Sequence, residues 1–161
     1  MMKLIARLFA RAEAALAPAT PRDAAAIAAL HAAAFRRGWS EQEVETLLLD
    51  RHVIADRASR RGRLAGFIMA RLVVDEAEIL SVAVARGAQG RGLAGRLLAL
   101  HLRRLAGLGA RTVFLEVDEH NAPALRLYVR AGFREVARRS NYYPGATGKA
   151  ANALVLRRDL G

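Results

Sequence analysis

Ile79-Leu80-Ser81-Val82-Ala83-Val84, followed after Ala85 to Ala88 by Gln89-Gly90-Arg91-Gly92-Leu93-Ala94-Gly95, is the stretch on which the fold turns. The first six residues are a short apolar run of the kind that forms a buried strand. The glycine-rich run opens into Leu97, Leu98, Leu100, His101, Leu102 and Leu105, whose spacing is helical. A second apolar strand follows at Thr112 to Val117. Strand, glycine loop, helix and strand form a plan for holding an anion, because the first N–H groups of a helix have no partner inside it. The competing reading of the glycines is a plain tight turn.

Spacing separates the anions such a loop serves. Gly90-x-Gly92-x-x-Gly95 matches the dinucleotide fingerprint letter for letter, and Glu116 lies about twenty residues on, where a ribose-binding acid would stand. A dinucleotide turn follows its strand directly, whereas Ala85 to Gln89 part Val84 from Gly90. The strand also arrives from a hairpin, Leu64 to Val74 and Ala77 to Val84 around an acidic turn at Asp75-Glu76. Too little chain remains after Glu116 for a second nucleotide half. No Gly-Lys-Ser or Gly-Lys-Thr closes the loop as a P-loop.

The 161 residues suffice for one domain with a real core. No cysteine is present, which excludes disulfides, thiolate metal sites and an acyl-cysteine intermediate. The net charge of +11 favours polyanionic partners: nucleic acid, a ribosome or a phosphate-bearing cofactor. Only Lys3 and Lys149 are lysines, and the arginines are spread through an alanine-rich chain, more a compositional bias than a focused patch. No apolar run approaches a membrane span, and a soluble globular protein is expected. Met1 to Ala17 is amphipathic and basic; Arg7 and Arg11 interrupt any secretory apolar core, so an ordinary N-terminal segment is favoured over a membrane-surface helix.

Along the chain, a short first strand is expected near Ala14 to Ala17. Thr20-Pro21-Arg22-Asp23 starts a helix carrying Ile27, Leu30, His31, Ala34 and Phe35 on one face and ending near Gly38. Ser40-Glu41-Gln42-Glu43 is a capping box for a second helix. Trp39 sits at the joint, either anchoring the core or lining a cleft. His52 to Ala55 reads as a short strand and Asp56 to Arg61 as a polar turn. Asn121 caps a short helix to Arg130, which Gly132 ends. Phe133 to Arg139 and Ala153 to Arg157 supply two last strands around the loop Ser140 to Asn152. One mixed α/β domain over residues 1–161 is expected, with residues 1–13 readable as an N-terminal extension.

Val82-Ala83-Val84, Gln89 to Ala94, Leu115-Glu116-Val117, Asn121, Leu127-Tyr128 and Gly132-Phe133 together resemble the GNAT family of acetyl-CoA-dependent N-acetyltransferases. Trp39-Ser40, Glu116, Asn121, Tyr128 and Asn141-Tyr142-Tyr143-Pro144 bring the closer resemblance, to the RimI-type ribosomal-protein N-terminal alanine acetyltransferases. The resemblance implies an α/β (α+β) fold: a mixed, mostly antiparallel sheet splayed at the cofactor site, with helices on both faces. It implies acetyl-CoA as cofactor, held by the backbone of Val82, Ala83 and Val84, by Gln89, Gly90, Arg91, Gly92, Leu93, Ala94 and Gly95, and by Asn121. The residues agree physically, since bare glycines at a helix start leave N–H groups open to a pyrophosphate.

Amine acetylation needs a neutral amine and a proton for the departing thiolate. The resemblance makes Glu116 the base, with pairing to an arginine as its alternative, and Tyr128 the general acid, with a packed core tyrosine as the alternative. Asn121 is either a cofactor contact or a plain helix cap. With no cysteine, direct transfer in a ternary complex is expected. Trp39, Tyr142 and Tyr143 are the expected acceptor-binding residues, with the two tyrosines closing the core under the last strands as the alternative, and the four histidines show no metal-ligand spacing. One departure stands out: the family's acidic pair before the last strand is replaced by Lys149-Ala150-Ala151-Asn152. The leading expectation is acetylation of a protein N-terminal α-amino group, N-terminal alanine of a ribosomal protein, in the cytoplasm, by a monomer or weak homodimer needing neither metal nor membrane. The alternatives are a GNAT enzyme for a small amine or amino acid, and a non-catalytic ribosome or nucleic-acid binding module.

Overall fold

The computed structural model describes residues 13–143 and 151–161. Residues 1–12, in the basic N-terminal segment, and 144–150, in the last loop, lie outside the described residues, as do the side chains of Tyr142 and Tyr143. In chain order the elements are β1 (Ala15–Pro18), α1 (Ala24–Ala34), α2 (Glu41–Leu49), β2 (Val53–Arg60), β3 (Arg63–Val73), β4 (Glu76–Val84), α3 (Leu93–Gly107), β5 (Thr112–Asp118), α4 (Ala122–Arg130), β6 (Arg134–Tyr143) and β7 (Ala151–Asp159).

The strands form one sheet in the order β1-β2-β3-β4-β5-β7-β6. Every neighbouring pair is antiparallel except β4 and β5, which run parallel and meet only over Glu76 to Glu78 against Thr112 to Phe114. Beyond Glu78, β4 stays bonded to β3 as far as Val84, while β5 stays bonded to β7 as far as Asp118. The sheet therefore splits at its middle, and the open edges of Val82 to Val84 and of Leu115 to Asp118 face each other across the gap. A bulge sharpens this: Met69 pairs with Ser81 and Ala70 with Ile79, leaving Leu80 as the extra residue. An inserted residue bends and twists its strand, and here it sits where the two halves part.

Two cores fill the faces. Leu97, Leu98, His101, Leu102 and Leu105 form the buried stripe of α3 and pack with Ile68, Ile79, Val113, Leu115, Tyr128 and Phe133. On the other face α1 buries Ala24, Ile27, Ala28 and His31, spaced i, i+3, i+4, i+7, against Val44 of α2 and Phe67, Met69 and Ala83 of the sheet.

Three expectations are corrected. The first helix stops at Ala34, well short of Gly38, because Phe35 turns extended at φ −124°; Ala34 and Phe35 are exposed rather than part of the buried face. The glycine Gly95 lies inside the first turn of α3, and Gly92 is the residue that caps it. The supposed polar turn at Asp56 to Arg61 is, as far as Arg60, the second half of β2, and only Arg61 begins a turn. Asp56 is 1% exposed there, its carboxylate taking His101 Nδ1 at 2.6 Å and Arg104 Nη1 at 2.6 Å. A buried acid is tolerated in a strand when such partners meet it, and both come from α3.

Candidate active site

The loop after β4 is shaped by its own contacts. Gln89 Nε2 donates to the carbonyl of Val84 at 3.1 Å, folding the intervening residues into a tight excursion, and Ala88 is buried beneath it. Gly90 and Gly92 then take left-handed backbone, φ 75° and 73°, which only glycine adopts without cost. The first intrahelical bond of α3 runs from Arg96 N–H to Gly92 carbonyl at 3.1 Å. The N–H groups of the turn before it point out of the helix start.

These residues wall a cleft of about 840 Å³. Of the residues expected to hold the cofactor, Val84, Gln89, Gly90, Gly92, Leu93, Ala94 and Gly95 line it. Arg91 belongs to the same loop without lining the cleft. Val82 and Ala83 stand on the open strand edge, Val82 packing toward α3 and Ala83 toward α1. A Cβ added at Gly90, Gly92 or Gly95 meets no atom within 4 Å, so these glycines border open space rather than packed neighbours. Room, a helix N-terminus and bare backbone fit the pyrophosphate of acetyl-CoA.

Asn121 is a cap in the structure: its Oδ1 accepts the Ala124 N–H at 3.3 Å, and it does not line the cleft. Reading along the sequence missed Arg130 and Arg158, which bring two guanidinium groups into the lining. Pro123, Leu127 and Arg130 fall at i, i+4 and i+7 on one face of α4, a spacing that could have placed Arg130 there.

The catalytic candidates come from β5 and from α4, the helix that follows it. Glu116 lies on β5 just past its last pairing with β4, on the face opposite the buried Leu115 and Val117. Its side chain is 27% exposed, and its Oε1 lies 3.3 Å from Arg139 Nη1. The arginine pairing weighed as an alternative is therefore present. A second cleft, about 520 Å³, opens at the foot of the split with Glu78, Phe114 and Glu116 in its wall. Tyr128 is buried in α4 with its ring edge-on to Phe133 at 5.6 Å. Burial alone pushes its phenol up to about 12.

Of the expected acceptor-binding residues, Trp39 is half-buried against the cluster of Phe67, Met69 and Ala83, and stacks on His31. The packing is that of an anchor, and Trp39 lines neither of the two clefts. The backbone of Tyr142 and Tyr143 continues β6, with Tyr143 opposite Ala151. Asn152, in the stretch that stands where the family's acidic pair would be, is held from across the fold. Glu119, at the end of β5, accepts the Asn152 backbone N–H at 3.0 Å and its Nδ2 at 3.3 Å, and pairs with Arg138 at 3.1 Å. The Asn152 amide, ahead of the weaker help of His120 and Arg138, holds the Glu119 carboxyl below its usual range. Among the described residues no group of three His, Asp or Glu is arranged to hold a metal.

A sequence model of the acetyltransferase (GNAT) family matches residues 24–133. The chain belongs to that family. It is 34% identical over 118 residues to the [ribosomal protein bS18]-alanine N-acetyltransferase of Escherichia coli K12, covering 73% of this chain and 78% of that one. The crystal structure of the ribosomal-protein-S18-alanine N-acetyltransferase from Escherichia coli superimposes with a TM-score of 0.86 at 28% identity, over 92% of this chain and 95% of that one. Arabidopsis thaliana NAA60 in complex with acetyl-CoA gives 0.81 at 22% identity, over 92% and 99%, a likeness of fold alone. This GNAT acetyltransferase is an acetyl-CoA-dependent N-acetyltransferase, and the dinucleotide and P-loop readings of its glycine loop fall away.

The cleft carries one prediction. Valine at Gly92 is forced into a left-handed backbone that costs about 1–2 kcal/mol and projects its side chain toward the phosphate site. Acetyl-CoA should bind at least about tenfold more weakly to Gly92→Val, read by calorimetric titration; an unchanged Kd would take the α3 N-terminus out of the cofactor site.

Proposed function

We propose that this enzyme acetylates the α-amino group of a protein N-terminus, a ribosomal protein beginning with alanine, in the cytoplasm, as a monomer or weak homodimer whose acetyltransferase domain runs over residues 1–161. The observation that carries the reading is the split sheet: a cofactor cleft opens on the α3 side, and Glu116 stands on the opposite face at the same gap. The similarity to the bS18-alanine acetyltransferase supports the acceptor class. So does charge, because Asp75, Glu76, Glu78 and Glu116, against the one cation Arg71 among its lining residues, line the second cleft of a chain that is otherwise strongly basic. An incoming ammonium meets carboxylates there. No helix among the described residues is long and apolar enough to cross a membrane.

In this reading Gly90, Gly92 and the first turn of α3 receive the pyrophosphate, Arg130 and Arg158 add positive charge, and the open edge at Val82 to Val84 pairs with the amides of the pantetheine arm as an added strand does. Acetyl-CoA, when bound, supplies the thioester carbonyl that the amine attacks. Glu116 takes the ammonium proton, directly or through one water, since an α-amino group titrates near 8 and must be neutral to react. Tyr128 gives its proton to the departing sulfur. Burial keeps that phenol loaded with its proton throughout the working range, and a thiol is the stronger acid of the two in water, so the transfer relies on contact within the dry site.

The high value at Tyr128 has its own consequence. A phenol whose folded-state value lies at about 12 instead of 10 contributes stability below pH 10 and loses it as pH rises toward 12. The wild-type protein should therefore lose stability over that window more steeply than Tyr128→Phe, in urea midpoints measured across it. Parallel curves would place the ring in a wetter site.

The acceptor is tested by incubating the enzyme and acetyl-CoA with peptides of varied first residue and with small free amines. Transfer to an alanine N-terminus is expected. Transfer confined to small amines overturns the proposed acceptor.

A further inference from the structure

Three rings stand in a row at the joint of α1 and α2. The His31 ring is stacked on Trp39 at 4.0 Å between centroids and 9° between planes, and on Phe35 at 4.4 Å and 28°. The Trp39 backbone N–H donates to His31 Nδ1 at 3.0 Å. A backbone amide can only donate, so Nδ1 must be the unprotonated nitrogen, and an imidazolium, which has donors alone, cannot keep this bond. His31 is 5% exposed and rests on Ile27 and Phe67 in the same core layer as Ala83, on the open edge of β4. The connection from Phe35 to Ser40 is thereby fastened on the α1–α2 face of the sheet, the face on which the Glu116 side chain also lies. Its far end is fixed as well, since Ser40 and Glu43 form a reciprocal capping box.

We propose that His31 is a positioning residue for the acceptor: its neutral ring sets Trp39 and the α1–α2 connection in the place that receives the acceptor chain, and protonation of the ring releases them. This rests on the reading of that face as the acceptor side. The surroundings suit the role. Burial pulls the ring below the usual histidine range, with Glu43 of α2 pulling the other way, while β3 presents only the apolar Phe67. Because the folded value lies below the usual value of about 6.5, the arrangement is complete above that pH and is lost as pH falls through the lowered one.

Two variants divide the hydrogen bond from the stack. His31→Phe keeps an aromatic ring and removes the acceptor; His31→Asn places Oδ1 where Nδ1 stood and restores it. The KM for the acceptor should rise about five- to tenfold in His31→Phe, the usual worth of one hydrogen bond, with the KM for acetyl-CoA unchanged, and return to within about twofold of wild type in His31→Asn. An equal rise in both KM values, or no rise in either, overturns the proposal. Trp39 is the sole tryptophan, so its fluorescence reports this contact without turnover. Emission of the wild type should hold above about pH 6.5, the ordinary histidine value, and change as pH falls below it, and that of both variants should not. A flat wild-type titration, or the same transition in His31→Phe, overturns it too. Should the wild type acetylate only small amines, the proposed acceptor class fails, and the same KM comparison run with that amine still decides the role of His31.

Discussion

Replacing Glu116 with glutamine should lower turnover by about 10²- to 10⁴-fold, the usual contribution of a positioned general base, while acetyl-CoA binds with unchanged affinity. The substitution is clean for structural reasons. Glutamine keeps the shape of the side chain and leaves Oε1 as an acceptor for Arg139, which stands 3.3 Å away. An ion pair with both partners partly exposed is worth about 0–1 kcal/mol, so the fold should survive its loss. The cofactor cleft is built from the end of β4, the β4–α3 loop, α3, α4 with the turn after it, and Arg158 of β7, and none of its lining residues comes from β5. Rate and cofactor affinity are therefore separable readouts. Single-turnover acetylation of a peptide decides the matter, alongside titration of acetyl-CoA. A rate within about threefold of wild type, less than half a decade against the two or more a base contributes, would leave Glu116 as nothing more than the partner of Arg139.

What could be read along the chain was what is local. The interval from Val84 to Gly90 separated this loop from a dinucleotide turn, and the structure gives that interval a cause in the bond from Gln89 to Val84. The capping box at Ser40 and the Asn121 cap are contacts within three residues, and both were legible. The split of the sheet could be expected only through family resemblance, since it depends on β4 and β5 losing register after Glu78 and on a bulge at Leu80. Polar β2 hid for the same reason. Asp56, Arg57, Ser59 and Arg60 look like a turn until partners 45 and 48 residues away, His101 and Arg104, are brought to Asp56. Glu119 likewise reaches Asn152 across 33 residues, a contact invisible to any short window of sequence.

Asp56 carries the other large effect, on stability. Its carboxylate is 1% exposed and joins two side chains of α3, while Arg104 also reaches the Ala55 carbonyl at 3.0 Å. These bonds fix the helix to β2 midway along its length, and the N-terminus of that same helix frames the cofactor cleft. Removing the carboxylate in Asp56→Ala leaves His101, fully buried and with Nε2 already lacking a partner, without any hydrogen bond. Breaking a buried charge pair from one side costs about 3–5 kcal/mol, because the remaining partners keep their desolvation without compensation. Urea denaturation should show the unfolding free energy falling by that amount, read as a lower midpoint at constant m, with the melting temperature down by roughly 10 °C. A loss below about 1 kcal/mol would mean that Arg104, one third exposed, simply turns to water and that the network contributes as little as a surface pair. Replacing Asp56, His101 and Arg104 together by apolar residues of similar volume should recover much of the loss, as the penalty lies in the stranded partners rather than in the absent acid.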